Sequence, residues 1–194
     1  IDKRSFVHAV RLISKPIVIA ANKMDIGPSK DNLEKLQKTF PHLQIIPCSA
    51  EAELTLKKAD KAGIIEYVSG QNDFAPKKEM NEAQANALNY IRDKVLKPLN
   101  GSGVQKVLDE TVFVGLKYVA IFPGGTKGLA DSKGNILPDC FLMPPSSTAV
   151  DFAFRLHTDF GKNFIKAIDV KSRMLLGKAH VLKNRDVIEI VSGK

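Results

Sequence analysis

Residues 16–25 read PIVIAANKMD, in which an apolar run, Pro16–Ala21, passes directly into the polar sequence Asn22-Lys23-Met24-Asp25. A short, continuous apolar run of this kind predicts a strand that is buried within a parallel sheet. In open α/β sheets, ligands bind just beyond the carboxyl ends of such strands. The polar residues that follow Ala21 are therefore candidates for a ligand-binding loop.

A second apolar run, Leu43–Cys48, leads into Ser49-Ala50-Glu51, and a segment long enough for a helix separates the two runs. The order and strand context of N-K-x-D and S-A resemble the two guanine-recognition motifs of the GTPase superfamily. In that superfamily, backbone N–H groups of the S-A loop meet the guanine carbonyl. The resemblance implies a set of guanine-binding residues: Asn22, Lys23, Asp25, Ser49, Ala50 and Glu51.

The residue types of the first motif suit the edge of a guanine base. The Asp25 carboxylate can accept from both N1–H and the exocyclic N2–H of guanine, whereas adenine offers no matching pair of donors. Asn22 has a donor and an acceptor, which suit the base edge or a link between the two loops. Lys23 can lay its methylene stem on the flat base while its ammonium stays in water. The alternative is a solvated strand-to-helix turn, in which Asn and Asp are common.

A phosphate-binding loop is missing from this sequence, because no stretch of the 194 residues fits G-x-x-x-x-G-K-[ST]. The nearest candidate, Gly124–Gly128, has a different spacing, lies downstream and is better interpreted as a polar loop. No metal-binding D-x-x-G precedes Asn22, and only 21 residues lie before it. That length is too short for the strands and loops that hold phosphate and Mg²⁺.

The chain also starts with Ile1, so we expect it to be the C-terminal part of a longer GTP-binding protein. In the intact protein the expected ligands are GTP or GDP with Mg²⁺, whereas this part requires no cofactor. We assign no catalytic and no metal-binding residue to it, and we expect it alone to be inactive. Whether the intact protein is an enzyme stays open, with GTP hydrolysis the favoured activity.

Composition indicates a soluble cytoplasmic protein. The 44% hydrophobic content is ordinary for a globular chain, and no apolar run approaches the roughly 18 residues of a membrane span. We therefore expect no membrane partner. The two cysteines, Cys48 and Cys140, have no metal-site spacing and lie in apolar runs, which predicts that both are small buried hydrophobes.

The sequence divides into three parts: residues 1–70 with both motifs, a helical segment over 71–115, and a different pattern over 116–194. Apolar spacing predicts helices over 5–14, 31–40, 52–62, 81–97 and 104–115. Asn81 and Gln84 have the spacing of a capping box at the start of the fourth helix. The first two parts are expected to form the C-terminal part of a P-loop GTPase domain of α/β class.

The third part has the order strand, strand, helix, strand, strand, which is typical of an α+β β-grasp (ubiquitin-like) domain. Four of its stretches look like a TGS domain: Ser147–Ala153, His157–Phe160, Gly177–Leu182 and Asp186–Ile188. TGS domains occur in Obg-related GTPases, threonyl-tRNA synthetases and stringent-response synthetases. The chain is thus similar to Obg-family GTPases over essentially its whole length.

Further stretches resemble the YchF-related branch of the Obg family. The H-T-D-F run at 157–160, followed by Phe164, is similar to YchF, and Ala59–Gly63 with Tyr90–Arg92 looks like the archaeal and fungal subgroup. YchF itself lacks the aspartate of the recognition motif and prefers ATP. This chain keeps Asp25, so the resemblance implies GTP.

A basic segment, Lys162–Arg185, contributes to the net charge of +8. Asp169 is its only acidic residue. Its seven positively charged residues are candidates for RNA contact: Lys162, Lys166, Lys171, Arg173, Lys178, Lys183 and Arg185. Family resemblance favours the ribosome or RNA as partner; a solvated basic face is the alternative on charge alone.

A second hypothesis for the whole chain is a non-catalytic module that binds RNA or protein through its TGS domain. For His157 and His180, structural hydrogen bonding is favoured over a functional role.

We expect the strand that ends in the first motif to have one edge without a neighbouring strand. In GTPase sheets the strand that ends in N-K-x-D lies between two neighbours, and here only the Leu43–Cys48 strand is present. Unpaired backbone at the other edge is a template for pairing with another chain. We therefore expect self-association, or a retained N-terminal fragment, through that edge.

Overall fold

Two units make up the chain in the computed structural model, Ile1–Thr111 and Val112–Lys194. The structure describes residues 2–15, 17–131 and 133–193. The first unit contains both recognition motifs and most of the helical segment, and the second contains the β-grasp pattern. No helix in these described ranges is long and apolar enough to cross a membrane.

The first half of unit 1 alternates helices and strands, as the sequence predicts. Its elements are α1 (Lys3–Ser14), β1 (Val18–Ala21), α2 (Ser29–Thr39), β2 (Gln44–Pro47) and α3 (Ala50–Lys61). Strands β1 and β2 pair in parallel, with Ile19 opposite Ile45. Their carboxyl ends therefore lie side by side, which brings together the residues that follow each strand.

Strand β1 is less buried than its apolar sequence predicts. Val18 and Ile19 are half-buried and Ala20 is exposed. The physical reason is that β1 pairs with β2 alone in the described part of the chain, so its other edge has no neighbouring strand. Helix α1 likewise exposes apolar side chains, with Phe6 60% and Val7 63% exposed.

A short hairpin, β3 (Ile65–Glu66) with β4 (Ala75–Pro76), leads into the helical segment. Three helices follow β4 in this segment. These are α4 (Glu82–Ile91), α5 (Lys97–Leu99) and α6 (Val104–Asp109), and π-helical turns follow α4 and α6 over Arg92–Leu96 and Glu110–Gly115. The capping box at Asn81 and Gln84 is confirmed at the start of α4. Leu56, Ile65, Val95 and Leu96 are fully buried in the core of unit 1.

The helix that the sequence predicts over 104–115 is not regular, and its apolar residue Leu108 is 53% exposed. The π-helical turn after Asp109 has a different number of residues per turn, so one apolar stripe cannot continue across it.

Unit 2 has the mixed sheet of a β-grasp domain, which confirms the fold class. Its elements are β5 (Val119–Pro123), β6 (Phe141–Met143), α7 (Ala149–Leu156), α8 (Thr158–Lys162), β7 (Phe164–Asp169), β8 (Leu175–Leu176) and β9 (Asp186–Ser192). The strand order is β6-β5-β9-β7-β8, with β5 and β9 parallel and the other pairs antiparallel. Phe152 of α7 is fully buried in the core against this sheet.

The prediction for Cys140 is wrong. Cys48 is buried, but Cys140 is exposed because it precedes β6 in a loop and not within the strand.

Candidate functional site

The loops after β1 and β2 are tied together by backbone and side-chain hydrogen bonds. The Cys48 N–H donates to the Ala21 carbonyl at 2.9 Å, and the Met24 N–H donates to the Cys48 carbonyl at 3.1 Å. The side-chain oxygen of Asn22 accepts from the N–H of Lys23 at 2.8 Å and from that of Ala50 at 3.0 Å. Of the two roles open to Asn22 from its sequence context, the structure therefore shows the link between loops.

Asp25 is held in place by the S-A loop. The buried Ser49 hydroxyl donates to Asp25 Oδ1 at 2.7 Å. The same Ser49 oxygen accepts from the Ala52 N–H at 3.2 Å and thereby caps α3. Because a carboxylate has about four lone-pair sites, the bond from Ser49 leaves Asp25 with acceptor capacity for a ligand.

An open cleft of about 430 Å³ lies between these loops, a volume within the range of small-molecule sites. Its lining includes five of the six predicted residues together with two apolar side chains: Asn22, Lys23, Asp25, Ala50, Glu51, Ile26 and Leu54. The sixth, Ser49, has no exposed surface and lies behind Asp25. Its side chain supports the cleft and does not line it.

Two residues of the helical segment hold these loops from outside the motifs. The Tyr90 hydroxyl donates to the Asp25 carbonyl at 2.7 Å, and the Ser102 carbonyl accepts from the Ser49 N–H at 2.8 Å. Sequence reasoning missed both. The capping box gives the start of α4 but not the direction in which Tyr90 points, and nothing in the pattern around Ser102 signals a contact with Ser49.

A buried carboxylate, Glu53, lies beside Ser102. Its Oε2 accepts from the Ser102 hydroxyl at 2.6 Å and from the Tyr67 hydroxyl at 2.8 Å. Burial acts to raise the pKa of Glu53, but hydrogen bonds from Ser102, Ser69 and Tyr67 outweigh it and lower that pKa. Burial and the bond to Glu53 raise the pKa of Tyr67 to about 12. Glu53 is therefore ionised and Tyr67 neutral at physiological pH.

The lining of the cleft has the polar and apolar groups that a planar base with hydrogen-bond donors needs. It combines a carboxylate acceptor, a lysine stem and the exposed apolar side chains of Ile26 and Leu54. No cluster of three or more His, Cys, Asp or Glu arranged for a metal occurs in the described ranges.

The glycine-rich turn at Gly124–Gly128 does not offer a phosphate cradle. The N–H groups of Gly125 and Gly128 donate to each other's carbonyls, at 3.3 and 3.2 Å. The Thr126 N–H donates to Glu189 Oε2 at 2.7 Å. The N–H groups of Gly125, Thr126 and Gly128 are thus occupied by partners within the domain.

The seven basic residues between Lys162 and Arg185 are distributed over the end of α8, strand β7 and the loops of unit 2. Six of the seven are exposed, and Lys166 in β7 is half-buried. None of the seven forms an ion pair within the described part of the chain. Asp169, the one acidic residue between Lys162 and Arg185 in the sequence, accepts from the Ser172 hydroxyl and the Lys171 N–H, and these bonds lower its pKa. Its carboxylate is thus engaged by its own turn.

Of the two histidines of unit 2, His157 makes a structural hydrogen bond through its side chain and His180 through its backbone carbonyl. His157 Nδ1 accepts from the Asp159 N–H at 3.2 Å and caps α8. The His180 carbonyl accepts from the Ala149 N–H at 2.9 Å, at the start of α7.

Two parallel strands that end in linked polar loops around a cleft form an α/β unit, and a β-grasp unit follows it in the chain. The family model described as "Obg-like GTPase YGR210-like, G4 motif-containing domain" matches residues 20–124, and the TGS domain model matches residues 133–192. The chain belongs to the YGR210-like group of Obg-like GTPases. This finding confirms the resemblance to the Obg family and to TGS domains.

Known relatives agree with this assignment. A GTP-binding protein of Methanocaldococcus jannaschii is 40% identical over 192 residues, which cover 98% of this chain and 49% of the relative. The crystal structure of a GTP-binding protein from Pyrococcus horikoshii matches with 38% identity and a TM-score of 0.67, covering 97% of this chain and 49% of that one. The structure of the YchF GTPase of Schizosaccharomyces pombe matches with 15% identity and a TM-score of 0.53, and the match covers 96% of this chain and 46% of that one. The two proteins share the fold. This chain therefore spans about half the length of these relatives.

Proposed function

We propose that this chain supplies the base-recognition half of a guanine-nucleotide site, and that Asp25 selects the base. The observation that carries the proposal is the Asp25 carboxylate, held by Ser49 at the edge of an open cleft. Its free acceptor sites face the donor pattern that guanine presents at N1 and N2, and adenine has no such pair. Membership of a GTPase family supports the same ligand.

The other cleft residues have complementary roles in this proposal. Lys23 covers one face of the base with its methylene stem. Ala50 and Glu51 are the first two residues of α3, where backbone N–H groups point out of the helix. These groups suit the guanine O6, although Ala50 must exchange its bond to Asn22 for one to the base.

Phosphates and Mg²⁺ have no counterpart in these residues, so we place them on other parts of a longer protein. Two observations support this placement of the phosphate and Mg²⁺ sites. The sequence has no G-x-x-x-x-G-K-[ST], and the relatives are about twice as long as this chain. In such a protein the nucleotide is GTP or GDP, and the reaction is GTP hydrolysis.

Titration of the 194-residue chain with GMP and with AMP, followed by amide NMR shifts, tests the base assignment. We expect GMP to shift the Lys23, Ala50 and Glu51 amides in a saturable way and AMP to leave them unchanged. Affinity will be low, because the phosphate groups supply most of the binding in GTPases. Equal responses to the two nucleotides, or no response to either at high millimolar concentration, would refute the proposal.

A second function, contact with ribosomal RNA in the cytoplasm, is favoured by the unpaired basic residues of unit 2. Ion pairs do not neutralise them in the described structure, and they are mostly exposed. Such side chains bind phosphates with a strong salt dependence and little sequence preference.

Reversal of three of these charges tests the RNA contact. Lys171, Arg173 and Lys178 are each replaced by Glu, and the control replaces Lys30, Lys35 and Lys106, exposed residues of unit 1, in the same way. In co-sedimentation with ribosomes over a salt series, we expect the first variant to lose binding and salt dependence and the control to retain most of both. Equal pelleting of both variants and the parent chain at every salt concentration would exclude this role.

A further inference from the structure

A continuous set of buried polar contacts connects the helical segment to the base-binding cleft. It runs from Tyr67 to Glu53, from Glu53 to the Ser102 hydroxyl, from the Ser102 carbonyl to the Ser49 N–H, and from the Ser49 hydroxyl to Asp25. Ser102 and Ser49 have no exposed surface, and Glu53 is 6% exposed. Every buried side-chain nitrogen and oxygen in the described ranges has a hydrogen-bond partner.

Backbone packing fixes the same loop against the end of β2. A Cβ atom added to Gly103 would overlap the Pro47 carbonyl oxygen and lie 2.7 Å from Cys48 Cα. Gly103 also has a φ of 81°, a left-handed conformation that favours glycine. The loop that contains Gly103 therefore packs closely, backbone against backbone, on the end of β2. Ser49 and Ala50, the loop residues beside the cleft, follow Cys48 directly in sequence.

We propose that Ser102, held by Glu53, is a positioning residue for guanine selection: it fixes the Ser49–Ala50 loop and, through Ser49, the Asp25 carboxylate. This inference rests on the proposed function, because it concerns the same cleft. Ser102 does not line that cleft and acts only through Ser49.

The direction of the effect follows from the contacts. The Ser102 hydroxyl has one proton, which goes to Glu53, and removal of the hydroxyl leaves that buried carboxylate with one bond fewer. The loop then loses the contact that holds its carbonyl against the Ser49 N–H. A less fixed Ser49 holds Asp25 less well, and the bond between Asp25 and the guanine N2–H becomes weaker.

Binding of GMP and IMP by the 194-residue chain separates positioning from general stability. IMP lacks the exocyclic amine, so the ratio of the two affinities reports on the Asp25 contact. We expect Ser102→Ala to lower GMP affinity about fivefold and to bring the GMP-to-IMP ratio close to one. Hydrogen exchange of the Ser49 amide should accelerate in the same variant, because its acceptor is no longer fixed.

Ser147→Ala is the matched control. Ser147 is also buried, its hydroxyl donates to the Pro144 carbonyl at 2.8 Å, and its carbonyl accepts from the Leu182 N–H at 2.9 Å, all within unit 2. We expect this control to leave the nucleotide ratio and the Ser49 exchange unchanged. If Ser102→Ala does not fold, Glu53→Gln, which keeps the shape of the side chain and removes its charge, takes its place.

Each outcome bears on a different claim. If the parent chain prefers GMP to AMP but Ser102→Ala keeps the parent GMP-to-IMP ratio and Ser49 exchange, the positioning role is refuted and the guanine site stands. If the parent chain does not distinguish GMP from AMP, the guanine site itself is refuted, and the positioning role with it.

Discussion

Asp25 is the residue whose chemistry separates guanine from other bases in this proposal. Its carboxylate accepts from Ser49 on one side and is available to a ligand on the other. Two donors on guanine meet two acceptor oxygens, so replacement of one oxygen by an amide nitrogen creates a donor that faces a donor.

Asp25→Asn should therefore weaken GMP binding by about 2–3 kcal/mol and shift preference toward XMP, whose C2 oxygen can accept from the new amide. The amide oxygen of the new side chain can still accept from Ser49, so we expect the loop to keep its geometry. NMR titrations with GMP and XMP measure both effects, and Asp139→Asn, an exposed site in unit 2, is the control. Unchanged preference for GMP would contradict the role of Asp25.

Tyr67 should ionise only at high pH, because burial and the Glu53 bond raise its pKa to about 12. A raised pKa means that the neutral phenol stabilises the fold. This contribution is complete below the ordinary tyrosine pKa of about 10 and is lost as pH rises toward about 12. Tyrosinate absorbance follows the titration.

Tyr67→Phe should remove the late step, near pH 12, from that titration curve. A late step that persists in Tyr67→Phe would mean that another tyrosine carries it, and the buried bond to Glu53 would then lack the effect described.

The residues that touch the cleft could be predicted from sequence, and those that support it could not. Asn22 and Asp25 follow an apolar strand directly, and a parallel sheet brings them beside Ala50 and Glu51. Glu53 and Ser102 are far apart in the chain, and each has an ordinary sequence context. Their contact depends on how the helical segment folds back, which no local pattern encodes.

The secondary-structure elements show the same division. A capping box and an apolar stripe predict the start of α4, and the structure confirms it. The stripe also predicts one regular helix over 81–97, but a π-helical turn over Arg92–Leu96 interrupts it. The two-residue strand β8 and the five-residue helix α8 were missed, because elements so short have no periodicity to detect.

The loop between α5 and α6 offers a test of how closely it packs on β2. We expect Gly103→Ala to destabilise unit 1 by about 2–4 kcal/mol, because the new methyl overlaps the Pro47 carbonyl and the left-handed backbone is strained for alanine. Gly27→Ala is the control, since a Cβ there meets no atom within 4 Å. It should change stability by about 0.5 kcal/mol or less.

Urea unfolding followed by circular dichroism and tyrosine fluorescence gives both values. Equal stability of the two variants would show that the loop lies farther from β2 than the structure has it.

At the scale of the whole molecule, the open edge of β1 should cause self-association. Strand β1 pairs only with β2 within the described residues, and Phe6 and Val7 of α1 are exposed nearby in sequence. Light scattering should show an average molar mass that rises with protein concentration. Alternatively, mass spectrometry should detect a second fragment that is bound to the chain. Val18→Lys should reduce association, because an edge lysine opposes strand pairing, and Ile165→Lys, at an exposed position of unit 2, should not. A monodisperse monomer with no second fragment would contradict this prediction.

The chain by itself should not hydrolyse GTP, although we propose that its cleft selects the base. Catalysis of phosphoryl transfer depends on groups that position the phosphates, Mg²⁺ and the attacking water. In the proposed function Asp25 contacts only the base, at the far end of the nucleotide from the phosphates, and the sequence has no phosphate-binding loop to complete the site. Phosphate release in the presence of Mg²⁺ should therefore equal the rate in buffer alone, for the parent chain and for Asp25→Asn. Turnover that requires Mg²⁺ and is lost in Asp25→Asn would show that these 194 residues contain a complete GTPase site.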